Sequence, residues 1–127
     1  MTIADAGTGR GIIVAVVIVG VVASAVAAVV PHYSNHYRLD AGVLAACLLP
    51  YLLYGIFGWL APRSGLLHLV GGLNLADHLW LVTTRRLMDF DGYASGAIYY
   101  APLIFAVLIV VAGIMGMHRE GTRLAPQ

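Results

Sequence analysis

Long apolar runs separated by short polar segments make up most of the chain. Three of these runs, at about residues 12–30, 41–60 and 97–117, contain no charged side chain. About 20 apolar residues in a helix cross the hydrocarbon core of a bilayer, and a helix satisfies its own backbone hydrogen bonds inside the membrane. The pattern therefore predicts three transmembrane helices.

A fourth apolar run, residues 66–82, contains polar residues as well. It carries Asn74, Asp77 and His78, and Arg85 follows it. On an α-helix, Asn74, His78 and Arg85 fall on one narrow stripe, with Asp77 at its margin. Because polar groups that face lipid are costly, we expect this polar intramembrane stripe to face protein or water.

The length of the fourth run leaves two interpretations open. Its seventeen residues form a helix of about 25 Å, slightly shorter than a hydrocarbon core of about 30 Å. We predict that the run spans the membrane, with slight local thinning of the bilayer. The alternative is a re-entrant segment that breaks at Gly71 and Gly72.

Together these runs predict an all-α membrane protein, a four-transmembrane-helix bundle whose third helix is short and polar. Three spans plus a re-entrant segment are the alternative. One transmembrane domain covers residues 11–117, between a polar N-terminal tail at 1–10 and a polar C-terminal tail at 118–127. Its spans lie at about 12–30, 41–60, 66–82 and 97–117.

The first run also has features of a signal peptide. Ala23, Ser24 and Ala25 form a plausible cleavage site after an apolar stretch. However, Arg10 is the only basic residue before the run, which is weak for a signal peptide. We therefore expect this helix to be retained.

Small residues recur along one face of two predicted helices. Gly20, Ser24 and Ala28 are spaced by four residues in the first span, and Ala112 and Gly116 repeat this spacing in the last. Stripes of small residues allow two membrane helices to approach closely. We expect helix packing along both stripes.

The composition supports a membrane location. Hydrophobic residues make up 61% of the chain and charged residues 10%, and the mean hydropathy is +0.88. Soluble domains carry about 25% charged residues, so this chain lacks the polar side chains needed to cover a surface in water. A net charge of +1 gives no basic face for nucleic acid. The expected partners are the lipid bilayer and either other membrane-protein subunits or further copies of the chain.

All seven basic residues are arginine, which is typical of a GC-rich genome, and we expect a prokaryotic cell membrane. With four spans, both tails and the 61–65 turn carry four arginines, whereas the opposite side carries three. The positive-inside rule then slightly favours cytoplasmic termini. The four on the first side are Arg10, Arg63, Arg119 and Arg123, and the three on the other are Arg38, Arg85 and Arg86.

Histidines and carboxylates near one membrane surface suggest a metal site. Four spans place His32, His36, Asp89 and Asp91 on one side, with His78 one or two turns below them. Imidazole and carboxylate ligands suit zinc, copper or iron. His32 and His36 are four residues apart and would share a face if their loop were helical. These five residues are the candidate ligands of a transition metal.

Haem is a second possible cofactor. His68 and His78 are ten residues apart on one predicted helix, so they lie about 15 Å apart along its axis and cannot ligate the same iron. The other three spans contain no histidine. A haem would therefore need a further ligand from a loop or from another subunit.

We expect no catalysis by this chain alone, because no nucleophile lies in a recognisable catalytic motif. The favoured function is a non-catalytic accessory or structural subunit of a larger membrane complex, for example a respiratory or redox assembly. Four short helices bury little surface among themselves, and the small-residue and polar stripes need partners. One alternative is a membrane protein that binds a metal or haem through histidine and aspartate. Another is a small oligomeric proton-coupled transporter or channel in which Asp77 carries the proton.

Overall fold

The computed structural model describes residues 5–32, 36–88 and 91–124, with side chains over 5–29, 40–83 and 100–122. Within these ranges the chain forms four helices and a two-stranded hairpin. In chain order the elements are α1 (Ala6–Ala28), β1 (Val29–His32), β2 (His36–Leu39), α2 (Ala41–Leu60), α3 (Gly65–Met88) and α4 (Asp91–Leu124).

Aspartates begin the first two helices. The side chain of Asp5 accepts a hydrogen bond from the backbone amide of Gly7, at 3.0 Å. Asp40 accepts from the amides of Gly42 and Val43, at 3.0 and 3.2 Å. These bonds satisfy backbone donors that the first turn of a helix leaves without a partner. Two of the six acidic residues therefore act as helix caps.

Three helical segments are long and apolar enough to cross a membrane. They are Ala6–Ala28, Ala41–Leu60 and Tyr100–Thr122, the last being part of α4. The described chain is helical apart from its hairpin and turns. The sequence-based prediction of four helices, three of them long and apolar enough to cross a membrane, is therefore confirmed, whereas insertion into a membrane and a fourth span by α3 stay predictions.

Helix α3 is longer than its apolar run predicts. It continues without a break through Gly71 and Gly72, where the re-entrant alternative requires one, and it ends at Met88. Its 24 residues correspond to about 36 Å, which exceeds a hydrocarbon core of about 30 Å. The segment 85–96, which lies between the spans predicted at 66–82 and 97–117, is helical at 85–88 and 91–96.

The first connection is a β-hairpin. Strands β1 and β2 pair antiparallel, and His32 stands directly opposite His36 in the register. Any helical spacing of these two histidines is therefore wrong, because their backbone is extended and they are cross-strand partners instead.

The four helices form a ring in the order α1, α2, α4, α3. Helix α2 packs against α1 and α4, and α3 closes the ring by packing against the same two helices. Successive helices run antiparallel, as shown by α1 and α2: Gly58 lies beside Ile13, whereas Gly20 lies beside Tyr51. One end of the bundle therefore contains the start of α1, the 61–64 turn and the end of α4.

Two apolar clusters fill the interior at different heights. The cluster nearer the hairpin consists of Ala27, Ala28, Val43, Cys47 and Leu81. The cluster nearer the termini consists of Ile13, Tyr54, Leu67, Ile109 and Ala112. Each contains residues from at least three helices, so the bundle buries a core of its own.

Candidate functional site

Two tyrosine–histidine hydrogen bonds connect α2 to α3 inside the bundle. The Tyr54 hydroxyl lies 2.7 Å from Nδ1 of His68, and the Tyr51 hydroxyl lies 2.9 Å from Nδ1 of His78. All four side chains are buried. The tyrosines are three residues apart, so they share one face of α2. Helices α2 and α3 are diagonal in the ring, and these long side chains join them across its centre.

His68 has a hydrogen-bond partner at each ring nitrogen. Its Nε2 lies 2.6 Å from the carbonyl oxygen of Pro62. A carbonyl oxygen only accepts, so Nε2 must carry the proton. In the neutral ring Nδ1 is then the acceptor, and the Tyr54 hydroxyl donates to it. The chain from Tyr54 through His68 to Pro62 is complete, and it holds the 61–64 turn against the bundle.

His78 has a partner at only one nitrogen. Its Nδ1 faces Tyr51, and the two rings stack with centroids 5.7 Å apart. Among the residues that the structure describes, its Nε2 has no hydrogen-bond partner, and neither has Nδ2 of Asn74, one turn earlier on the same helix. His78 is only 5% exposed and Asn74 only 3%. Buried polar groups normally have partners, so this pair is the candidate binding site.

Asp77 lies at the edge of the bundle rather than inside it. It is half-buried, while its neighbours Ala76 and Trp80 are exposed, Trp80 to 67%. Among the described side chains Asp77 has no hydrogen bond or ion pair. His78 is not its partner, because the imidazole bonds only Tyr51. Arg85, the last residue of the predicted polar stripe, has a side chain outside the described part.

Most of the predicted metal ligands lie where the structure describes no side chain. This applies to His32, His36, Asp89 and Asp91, so His78 is the one candidate of the five with a described side chain. Among the residues with described side chains, no three histidine, cysteine or acidic residues come together as a metal-binding group. The transition-metal site therefore stays a sequence-based prediction.

The small-residue stripe of α1 faces the interior of the bundle. Gly20, Ser24 and Ala28 are all buried. Gly20 packs directly against the Tyr51 ring, and the Ser24 hydroxyl donates to the backbone carbonyl of Gly20, at 2.7 Å. This stripe therefore has its partners within the chain.

The shorter stripe of α4 is also internal. Ala112 belongs to the apolar cluster nearer the termini, and Gly116 packs beside Ser64 and Ala61 at the turn between α2 and α3. With both stripes occupied internally, they are no longer a reason to expect an external partner. The half-buried carboxylate of Asp77, in contrast, has no hydrogen-bond or ion-pair partner among the side chains that the structure describes.

Sequence reasoning missed the two tyrosine–histidine pairs. Tyr51 and Tyr54 interrupt one apolar run, and His68 and His78 interrupt the next. Buried hydroxyl and imidazole groups each need a hydrogen-bond partner. Two tyrosines and two histidines in consecutive helices were therefore the signal that could have predicted these pairs. Which tyrosine meets which histidine depends on the vertical register of α2 and α3, which spacing alone leaves open.

Comparison of the chain with protein-family models, with curated proteins and with solved structures finds no match. Its own side chains are therefore the source of every functional inference. Within the described part of the chain they offer two buried nitrogens without hydrogen-bond partners, on Asn74 and His78, and one carboxylate at the outer edge of α3.

Proposed function

We propose that the chain is a small integral membrane protein that acts as a non-catalytic accessory subunit of a larger membrane complex. The observation that carries this proposal is the position of Asp77. It lies on α3 between side chains that point outward, and it has no partner among the described residues. A carboxylate at such a position is stabilised by a donor or a basic group, and the proposal is that another molecule supplies it.

The described neighbours of Asp77 on its own helix do not supply that group. The positions three and four residues away hold Leu73, Asn74, Trp80 and Leu81, none of which is basic, and the buried amide nitrogen of Asn74 makes no hydrogen bond. A charged residue at the centre of a membrane helix costs about 2.5–3.5 kcal/mol. A donor on a partner subunit would offset that cost.

The proposal includes α3 as a fourth span. The helix is long enough, and its direction alternates with those of α2 and α4 as a four-span topology requires. Asp77 is twelve residues from the start of α3 at Gly65, or about 18 Å along the axis, which places it within a hydrocarbon core of about 30 Å. We further propose that the termini face the cytoplasm of a prokaryotic cell, as the arginine distribution favours.

Native purification tests the proposal. The tagged full chain is extracted from its own membranes in a mild detergent, and every co-purifying protein is identified by mass spectrometry. We expect larger membrane subunits to accompany the wild type, and at least about tenfold lower recovery with Asp77→Ala, which corresponds to about 1.4 kcal/mol. A wild-type chain that purifies free of other proteins would overturn the proposal.

Asp40→Asn is the matched control. It removes a carboxylate from the same chain but keeps a residue that caps a helix equally well. Asp40 lies at the start of α2, outside the apolar segment, so we expect Asp40→Asn to recover the same subunits as the wild type. Equal losses with both variants would show that the effect of Asp77→Ala is not specific to its site.

The transporter alternative uses the same carboxylate in another way. If the wild type purifies alone, proton flux is measured with the chain in liposomes. Loss of flux in Asp77→Asn, with Asp40→Asn unchanged, would then replace the subunit proposal with a proton-coupled transporter.

A further inference from the structure

The two tyrosine–histidine pairs differ in the partner of Nε2. In the first pair, Nε2 of His68 bonds the carbonyl oxygen of Pro62, at 2.6 Å. In the second pair, Nε2 of His78 has no partner, although Nδ1 is engaged by a tyrosine hydroxyl in the same way. The complete pair therefore shows what the incomplete pair lacks, which is an oxygen acceptor at Nε2.

The tautomer of His78 is assigned by analogy with the complete pair. A phenol hydroxyl is a good donor, and a neutral imidazole has one nitrogen that accepts. If Tyr51 donates to Nδ1, as Tyr54 does in the complete pair, the proton of His78 lies on Nε2. This nitrogen is then a buried N–H donor. It is not a bare nitrogen available to a metal or a haem iron.

A second donor lies beside the first. Asn74 is four residues before His78, so their Cβ atoms are about 5–6 Å apart on one face of α3. Its Nδ2 is also buried and without a partner. Leaving two such donors unsatisfied is costly, at about 1–3 kcal/mol each.

We propose that Asn74 and His78 form a binding site for an oxygen hydrogen-bond acceptor supplied from outside the chain. The acceptor is either the carbonyl oxygen of a small lipid-soluble ligand or an enclosed water molecule. Both offer lone pairs that can accept from Asn74 Nδ2 and His78 Nε2. The site is separate from Asp77 and does not depend on a partner subunit, but its depth in the bilayer rests on the proposed span of α3.

The depth of the site favours a ligand that dissolves in lipid. Asn74 and His78 are nine and thirteen residues from Gly65, or about 14 and 20 Å along α3, near the middle of a hydrocarbon core of about 30 Å. Bulk water does not reach this depth, whereas a lipid-soluble carbonyl compound such as a quinone does.

Solid-state NMR of the full chain in lipid bilayers tests the site without a mutation. With ¹⁵N-labelled histidine, the spectrum reports which ring nitrogen carries the proton and whether that N–H is hydrogen-bonded. His68 serves as an internal standard, with Nε2 protonated and bonded to a carbonyl. We expect His78 to show the same pattern.

Two further measurements distinguish a carbonyl ligand from an enclosed water molecule as the source of the oxygen. A benzoquinone with a short alkyl chain is titrated into the bilayers, and exchange with water is measured at Nε2–H. A shift of the His78 signal with quinone, but not of the His68 signal, identifies a carbonyl ligand. A cross-peak to water with no response to quinone identifies an enclosed water molecule.

Asn74→Leu removes the second donor and keeps the number of side-chain heavy atoms and their branching at Cγ. We expect it to weaken quinone binding at least about tenfold, or to lose the water cross-peak, with the His68 signals unchanged. A His78 ring protonated at Nδ1, an Nε2–H without a hydrogen bond, or an acceptor oxygen belonging to the chain itself would each overturn the proposal. If Asn74→Leu does not fold, the wild-type spectrum alone still decides among these results.

Discussion

Gly71 and Gly72 are neighbours on α3, and the structure predicts opposite effects when each becomes alanine. A Cβ atom at Gly71 would lie 2.6 Å from Cε2 and 2.7 Å from Cδ2 of Tyr54, well inside normal contact distance. A Cβ atom at Gly72 would meet no atom within 4 Å. The chemical change is the same at both positions, so any difference comes from the surroundings.

The Tyr54 ring has little freedom to move away. It is fully buried, and its hydroxyl is held by His68, at 2.7 Å. Overpacking of this kind costs about 1–3 kcal/mol, and distorting the hydrogen bond adds about 0.5–1.5 kcal/mol. Alanine regains about 1 kcal/mol of helix propensity over glycine. We therefore expect Gly71→Ala to lower the free energy of unfolding by about 0.5–3.5 kcal/mol.

Gly72→Ala gains the helix propensity without the steric cost. We expect it to raise the free energy of unfolding by about 0.5–1 kcal/mol. The assay is reversible unfolding of the purified protein in mixed micelles of increasing SDS content, followed by circular dichroism. If Gly72→Ala were as destabilising as Gly71→Ala, the orientation of α3 would be wrong. Similar changes at both positions would also be expected if the helix broke there, as in the re-entrant alternative.

Three further outcomes follow from single contacts. Tyr54→Phe leaves Nδ1 of His68 buried without a donor, so the same unfolding assay should show a loss of about 1–3 kcal/mol; unchanged stability would contradict this hydrogen bond. The backbone amide of Gly7 is the main cause that lowers the pKa of Asp5 below its ordinary value of 3.8. The stability this gives is present above pH 3.8 and is lost as the pH falls through the lowered pKa, so wild type and Asp5→Ala should converge in acid when unfolding is titrated against pH. The Cys47 thiol is fully buried, so a membrane-permeant maleimide should label it only after denaturation, and rapid labelling of the folded chain would show that the cluster is open.

Several elements could be predicted from local properties of the sequence. The runs around residues 12–30 and 41–60 are helices because their continuous apolarity and length favour little else in a membrane. The hairpin at Val29–His32 and His36–Leu39 was missed, since Pro31 and the polar residues that follow it indicate only a loop. The end of α3 was placed too early because polar residues 83–86 end the apolar pattern but not the helix.

Only part of the candidate site could be predicted from the sequence. The polar positions of α3 could be identified, because helical periodicity places Asn74 and His78 on one face. The hydrogen-bond partners of the imidazole nitrogens could not be predicted, because those partners lie outside α3. The interior position of the small-residue stripe on α1 likewise depends on Tyr51, which approaches Gly20 from α2.

The sequence by itself therefore determined the apolar character of three long helices, the number of helices and the polar face of α3. These properties depend on composition and on the helical repeat, which are local. Only the tertiary structure decided that His68 is satisfied by Pro62 and Tyr54 while Nε2 of His78 is not. The physical reason is that a hydrogen bond depends on positions to within a few tenths of an ångström, and here the relative height of α2 and α3 sets those positions.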